Sequence, residues 1–342
     1  MTAKPFPPAP IAPMEAKLVS ELLGEAGWWF EPKWDGFRAI VYRDGASVEI
    51  LSKSGKTLAR YFPELVAVLR ASPVERYTVD GEIILPVGGV LSFDALQQRL
   101  HPAASRIAKL SVATPVQLML FDCLSLEGKR LSDAPLADRR AALEHFHRTA
   151  GGASLLLSPI SDDRAVGEAW LAGSGGALDG VMAKRIDEAY RSGERAMLKV
   201  KVRRSADCVV AGLRRSAEHG GIVSLLLGLY DAAGKLNHVR FSSTIKDAER
   251  AALEDRVKPH LGGSGFSGKA PGGPSRWNDG RKSSWEPLEP ELVVEVVYDQ
   301  VTGARFRHGT RILRWRPDKE PAQCRMDQLV QEVRPAELAT LA

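Results

Sequence analysis

Between Phe37 and Leu51 two strand-forming runs, Phe37–Tyr42 and Ala46–Leu51, flank Arg43-Asp44-Gly45. Asp-Gly between such runs is a hairpin signal, and a hairpin commits this part of the chain to antiparallel sheet. Further strand-like runs follow at Tyr77–Leu85, Val116–Cys123, Leu155–Ile160, Gly180–Lys184 and Met197–Val202. Segments with helical spacing separate them: Pro63–Arg70, Phe93–Leu100, Leu136–His147, for which Asp133 is the expected cap, and Arg164–Ala172. Residues 1–13 are Pro-rich and read as an extended lead-in. The mixture predicts an α+β domain over residues 1–204.

After Arg203-Arg204-Ser205 the texture changes. Cys208–Leu213, Ile222–Tyr230 and Leu236–Phe241 read as successive strands, Asp247–His260 as one helix, and Glu291–Tyr298 and Arg311–Trp315 as the last strands. Gly262–Ser275 is rich in Gly, Pro and Ser and is expected to be a connector outside the core. Short strands with a single helix suit a small barrel, and an OB-fold is predicted for residues 205–342.

The 342 residues are enough for two domains with separate cores. No run approaches the ~20 apolar residues of a membrane span, and none at the N-terminus has signal-peptide length. A cytoplasmic location is therefore expected. The three cysteines, Cys123, Cys208 and Cys324, lie far apart without a C-x-x-C pair. That spacing argues against a zinc ribbon or a disulfide framework and for reduced, structural thiols. A net charge of +5 leans weakly toward an anionic partner. Its distribution says more: Arg305 to Lys319 holds six Lys/Arg and one acid, and Lys184 to Arg204 holds eight against three. Such runs are usually solvated faces, but two of them beside motif-like sequence point to phosphate contact.

Lys33 stands in Glu31-Pro32-Lys33-Trp34-Asp35-Gly36-Phe37-Arg38, at the end of a strand. Alone, the pattern fits a hairpin with a solvated lysine as well as it fits a nucleophile. A lysine that attacks phosphorus must be deprotonated, which neighbouring cations and a bound metal favour. Lys199 and Lys201 alternate with Leu198, Val200 and Val202, so a strand would put both amines on one face. An ordinary amphipathic strand looks the same.

The order of motifs separates these readings. Lys33-Trp34-Asp35-Gly36-Phe37-Arg38 resembles the first motif of the covalent nucleotidyltransferases, which include DNA ligases, RNA ligases and capping enzymes. Ser52-Lys53-Ser54-Gly55, Asp80-Gly81-Glu82, Leu120-Phe121-Asp122, Asp179-Gly180-Val181-Met182-Ala183-Lys184, Leu198-Lys199-Val200-Lys201 and Arg316-Pro317-Asp318-Lys319 resemble the remaining motifs, in the expected order. The resemblance covers nearly the whole chain. It is nearest to the compact bacterial ATP-dependent ligases called ligase C and to the ligase module of ligase D, through the Glu-Pro-Lys-Trp-Asp-Gly opening and the Leu-Arg-Trp-Arg-Pro-Asp-Lys ending.

The resemblance implies an adenylation domain of ATP-grasp-like antiparallel sheets with helices, followed by the OB-fold. It implies that Lys33 forms lysyl-AMP, that Glu31 accepts from the adenine amine, and that Phe121 stacks on the purine. Arg38 and Glu82 would reach the ribose and phosphates, and Lys199 and Lys201 would hold the α-phosphate and depress the pKa of Lys33, with Lys184 nearby. Magnesium, for which manganese can substitute, would be held by Asp179 and Glu82. Arg316, Asp318 and Lys319 would orient the leaving pyrophosphate. The implied partners are ATP, nicked duplex DNA and, by analogy with ligase D, the end-binding protein Ku, in DNA repair or recombination. Two positions depart from the family pattern: Lys53 stands where arginine is usual, and Asp179 where glutamate is. An NAD-dependent ligase is disfavoured, because the cysteines and length of that class are missing. An RNA ligase, a capping-type enzyme and a non-catalytic nucleic-acid-binding barrel are the rivals.

Overall fold

The computed structural model describes residues 10–329 except 89, 175–177, 202–203, 217, 219, 244, 246, 273–283, 299–300, 303 and 307–309. The start of the Pro-rich lead-in, Arg307 of the basic run and the end of the Gly-rich stretch lie outside the described residues. The chain divides into two compact units, one carrying Met1–Val202 and the other Arg203–Gln331.

The first unit contains β1 (Ala16–Val19), β2 (Trp28–Trp34), β3 (Phe37–Asp44), β4 (Ser47–Ser52), α1 (Pro63–Ala71), β5 (Arg76–Ile84), α2 (Phe93–Gln98), α3 (Ala104–Ala113), β6 (Gln117–Leu126), α4 (Leu136–Ala150), β7 (Leu155–Leu157), α5 (Arg164–Ala172), β8 (Leu178–Arg185) and β9 (Met197–Val200). One sheet runs β1–β9–β8–β2 and a second runs β7–β6–β5–β3–β4. The expected hairpin forms, with Val41 opposite Ile50 and Asp44 opposite Ser47. The sheets are not wholly antiparallel: at their edges β1 runs parallel to β9, and β7 parallel to β6. Helices α1 and α4 bury Leu65, Leu69, Leu143 and Phe146 against Ile50, Val79, Leu118 and Leu120. Each such side chain contributes about 1.5–3 kcal/mol when fully buried. Phe30, Val181 and Val200 of the first sheet pack with Trp170 of α5 in a separate cluster.

Two expectations need correction here. Asp133 does not cap α4; the N-cap is Pro135, whose fixed φ of −55° starts the helix, and Asp133 pairs with Arg130 instead. The strand expected to reach residue 202 ends at Val200, so Lys201 lies just past it. β1 and α3 carry too weak a local pattern to be read beforehand: β1 has four residues, and α3 buries only Ile107.

The second unit contains β10 (Arg204–Arg215), β11 (Ile222–Tyr230), β12 (Leu236–Ser242), α6 (Arg250–Val257), β13 (Glu286–Tyr298) and β14 (Arg311–Trp315). Its sheet order is β12–β11–β10–β13–β14. The Ser242 hydroxyl donates to the Thr310 carbonyl at 2.9 Å, and the Thr310 hydroxyl to the Phe241 carbonyl at 3.1 Å. These bonds bring the end of β12 to the start of β14, as closure of a five-stranded OB barrel requires. The predicted helix 247–260 is broken into α6 and flanking 3-10 turns, Asp247–Glu249 and Lys258–His260; the last contains Pro259. The Gly-rich stretch is not a free connector in its described part. Gly262 and Gly265 donate to the carbonyls of Pro287 and Leu288, and Gly268 to that of Leu236. Phe266 packs on the barrel core and edge-on to Trp285. All three cysteines are buried and free.

His238, on β12, is buried with Nδ1 3.2 Å from an Arg305 guanidinium nitrogen. Burial, then Arg305, Arg214 and Arg240, push its pKa down to about 4. Between pH 6.5 and 4 the unfolded chain therefore binds a proton that the folded one refuses, so stability falls on acidification. The expected loss between pH 7 and 5 is about 2 kcal/mol. Denaturant titrations of wild type and His238→Gln at both pH values check this; a stability difference that does not change with pH would refute it.

Candidate active site

The first unit holds a cleft of about 840 Å³ lined by Glu31, Lys33, Arg38, Lys53, Glu82, Phe121, Lys184 and Lys199 among others. The motif residues of this unit are thus brought to one place from seven strands and strand ends. Gly36 follows Lys33 where β3 meets β5; a Cβ there would collide with the Ile83 carbonyl. Its amide donates to Glu82 Oε1 at 3.1 Å. The Trp34 indole donates to the Ser158 hydroxyl at 2.9 Å, which anchors the strand end beside Lys33.

Lys33 Nζ lies 2.6 Å from Asp179 Oδ2, and Lys201 Nζ lies 2.9 Å from the same oxygen. Gly180 makes this junction possible: its φ is +134°, and a Cβ would strike the Val200 carbonyl. Burial pushes the Asp179 carboxyl up, but Lys33 and Lys201 more than offset it and leave the group below the usual carboxylate range. Lys199 lines the cleft without an ion-pair partner among the described residues. Burial, then Lys33, Lys201 and Lys53, hold it below the ordinary lysine range. Burial pushes Glu82 up to about 7 against the pull of Lys33 and Arg38.

Other predicted residues are held by partners the sequence did not announce. Arg38 makes a bidentate pair with the fully buried Asp80, at 2.8 and 2.6 Å, and Asp80 also accepts from the Tyr190 hydroxyl at 2.6 Å. Burial would lower the pKa of Arg38, and Asp80 holds it above its usual range. Glu31 is engaged by Lys184 through both oxygens at 2.9 Å. Phe121 carries Arg38 4.9 Å and Lys184 4.8 Å from its ring centroid. Lys53 is largely exposed and pairs with Glu15 at 3.0 Å. Met14, Met182 and Met197 form apolar wall; Met182 stands within a quoted motif, and Met14 and Met197 lie outside the motifs. Among the described residues no group of three or more His, Cys, Asp or Glu is assembled as a metal cage.

In the second unit Arg316 and Lys319 both meet Asp207 of β10, at 2.9 and 3.0 Å. Asp318 accepts from the Arg316 guanidinium, which holds its carboxyl down to about 2. Asp207 was not anticipated; only its pairing across the sheet brings it to the terminal motif.

A lysine-lined cleft between two sheets, followed in sequence by a five-stranded barrel, is the arrangement of a covalent nucleotidyltransferase. Residues 12–201 match the ATP dependent DNA ligase domain, and residues 218–319 match the ATP dependent DNA ligase C terminal region. The chain belongs to the ATP-dependent DNA ligases. It is 45% identical over 331 residues to DNA ligase C1 of Mycolicibacterium smegmatis, covering 94% of each chain. It is 31% identical to the multifunctional non-homologous end joining protein LigD of Mycobacterium bovis, covering 86% of this chain and 37% of that longer one. A solved Lig E DNA ligase shares the fold, with a TM-score of 0.53 at 18% identity, over 89% of this chain and 100% of that one. These matches do not favour the RNA-ligase, capping or non-catalytic alternatives. Among the described residues no helix is long and apolar enough to cross a membrane.

Proposed function

We propose that Lys33 is the residue on which this ligase carries AMP. Its amine attacks the α-phosphorus of ATP, the bond to the β-phosphate oxygen breaks, and pyrophosphate leaves. The AMP then passes to the 5′-phosphate at a nick, and the 3′-hydroxyl displaces it to form the phosphodiester. The observation that carries this reading is the convergence of Lys33, Lys201 and Asp179 beside a cleft that Lys199 also lines. Two further amines near the nucleophile suit an α-phosphate, whose negative charge must be balanced as the attack proceeds. Phe121 and the methionines suit a purine, Glu31 its amine, Arg38 the ribose and Lys53 the outer phosphates. Arg316, Asp318 and Lys319 are assigned to the leaving pyrophosphate.

Magnesium, or manganese in its place, fits as an ion that arrives with the nucleotide. Mg²⁺ is usually held by one or two carboxylates, substrate phosphates and waters, not by a preassembled cage. Glu82 and Asp179, both close enough to Lys33 to shift with its charge, are the carboxylates available. The ion would supply neutralisation of the triphosphate charge. For Asp179 to serve, it must exchange a lysine partner for the metal.

Nicked duplex DNA is the assigned substrate, met by a monomer in the cytoplasm beside the nucleoid. The name of the LigD relative supports a repair or recombination setting, with Ku as a candidate recruiter. Sealing assays on DNA nicks, DNA–RNA hybrid nicks and RNA nicks test the assignment: sealing confined to RNA would overturn it. Binding of nicked duplex should weaken at least ~100-fold between 50 and 200 mM salt, because Lys/Arg–phosphate contacts release counterions. An affinity indifferent to salt, read by fluorescence anisotropy, would contradict phosphate contact by the basic runs.

A further inference from the structure

The innermost feature of the cleft is an ion pair that the chemistry at phosphorus does not use. Glu31 on β2 and Lys184 on β8 are only 2% and 3% exposed, yet both line the cleft. A lysine ammonium has three N–H donors. Here the amine faces three acceptors: Glu31 Oε1 and Oε2, each at 2.9 Å, and the Phe121 carbonyl at 3.3 Å. We propose that Lys184 makes the cleft selective for adenine over guanine, by holding Glu31 as an ionised, acceptor-only edge. The inference rests on the reading above, that Phe121 and Glu31 receive the base.

The two purines differ at the position such an edge would read. Adenine presents an amine that donates, whereas guanine presents a carbonyl that accepts. An ionised carboxylate accepts from the amine, but against the carbonyl two acceptors meet with no proton between them. Lys184 cannot rescue guanine, because its hydrogens are already directed at Glu31 and Phe121. A protonated Glu31 could, since a carboxylic acid has an O–H to donate. The charge state of Glu31 therefore decides which purine fits.

Lys184 is the group that sets that state. Burial raises the Glu31 pKa and keeps it above the usual carboxylate range, and Lys184, bonded to both oxygens, is the chief counterweight. The other charged groups facing Glu31 are Arg140 from α4 and Asp122 from β6. Arg140 is committed to Glu144 and to the Ser158 carbonyl, at 2.8 Å each, and Asp122 to Arg139. Neither is available to replace Lys184. The lysine also fixes where the base lies, because its bond to the Phe121 carbonyl ties the stacking ring to the acceptor edge.

The test is labelling of the full chain with α-³²P-ATP or α-³²P-GTP from pH 5.5 to 8.5. Wild type should favour ATP by about 100-fold or more, as a site with buried polar groups rejects a mismatched analogue. Lys184→Met should narrow that ratio about tenfold near pH 6, where the unpaired Glu31 is protonated, and recover part of it as pH rises. The wild-type ratio should change less over the same range, because Lys184 opposes protonation of Glu31. Glu31→Gln/Lys184→Met leaves no buried charge unpaired and keeps the test open if the single variant does not fold; its ratio should be narrow at every pH. Parallel loss of both labels with an unchanged ratio, equal labelling of wild type by the two nucleotides, or a double variant as selective as wild type would overturn the proposal. Phe121→Ala separates the layers: an unchanged KM for ATP removes the base slot itself, whereas a raised KM with an unchanged Lys184→Met ratio removes only the role of Lys184.

Discussion

Lys33→Ala should leave no radioactivity on the denatured polypeptide after incubation with α-³²P-ATP and magnesium, a loss of at least ~10⁴-fold. The size follows from the chemistry: covalent catalysis divides one difficult displacement into easier steps, and without the amine the first of them has no nucleophile. The same variant should still join a nick that already carries AMP on its 5′-phosphate, because the last step uses the 3′-hydroxyl and needs no lysine. That contrast distinguishes loss of the nucleophile from loss of fold. A wild-type level of adduct on Lys33→Ala would place the AMP elsewhere. Failure to join the pre-adenylated nick, with the fold intact, would give Lys33 a wider role than nucleophile.

Arg139→Met should be among the most destabilising single changes in the first unit, by about 3–5 kcal/mol. Arg139 and Asp122 are each 1% exposed, and the guanidinium reaches both carboxylate oxygens at 2.8 and 3.1 Å. It also donates to the carbonyls of Ala134 and Glu188 at 2.7 and 2.9 Å. Removing it leaves the buried carboxylate with only the Cys123 amide as donor and takes a donor from two carbonyls at once. In a unit of this size the loss corresponds to roughly 6–20 °C in Tm. Asp122→Leu/Arg139→Met should recover much of it, because neither charge is then left alone in the interior. Calorimetry of the three proteins checks this, and a single variant within 1 °C of wild type would refute it.

Asp122 and Asp80 show how motifs can mislead when read residue by residue. Both stand in stretches that resemble family motifs, yet their carboxylates go to Arg139 and Arg38. That Lys33, Lys199, Glu82 and Phe121 line one cleft was legible because their order along the chain is distinctive, although no one of them is. The hairpin, most strands and α5 were legible from local apolar spacing and turn residues. What could not be read is what depends on distant pairing. Tyr190 receives the Met14 amide across 176 residues, and Asp207 meets Arg316 across 109. Neither leaves any trace in a local window. Phe266 was hidden for the opposite reason: its glycine-rich surroundings suggested loop, while its ring and the bonds of Gly262, Gly265 and Gly268 dock the segment.

The bond between Asp207 and the terminal motif has a thermodynamic consequence. Arg316 and Lys319 are long side chains, each with about 2 kcal/mol of rotamer entropy to lose when it is fixed on a ligand. Asp207 sits on a twelve-residue strand of the barrel and already restricts both. Much of that disorder is therefore removed when the barrel folds, before any nucleotide arrives. If the pair meets pyrophosphate as proposed, it does so as a stiff fork whose aim is set by a sheet.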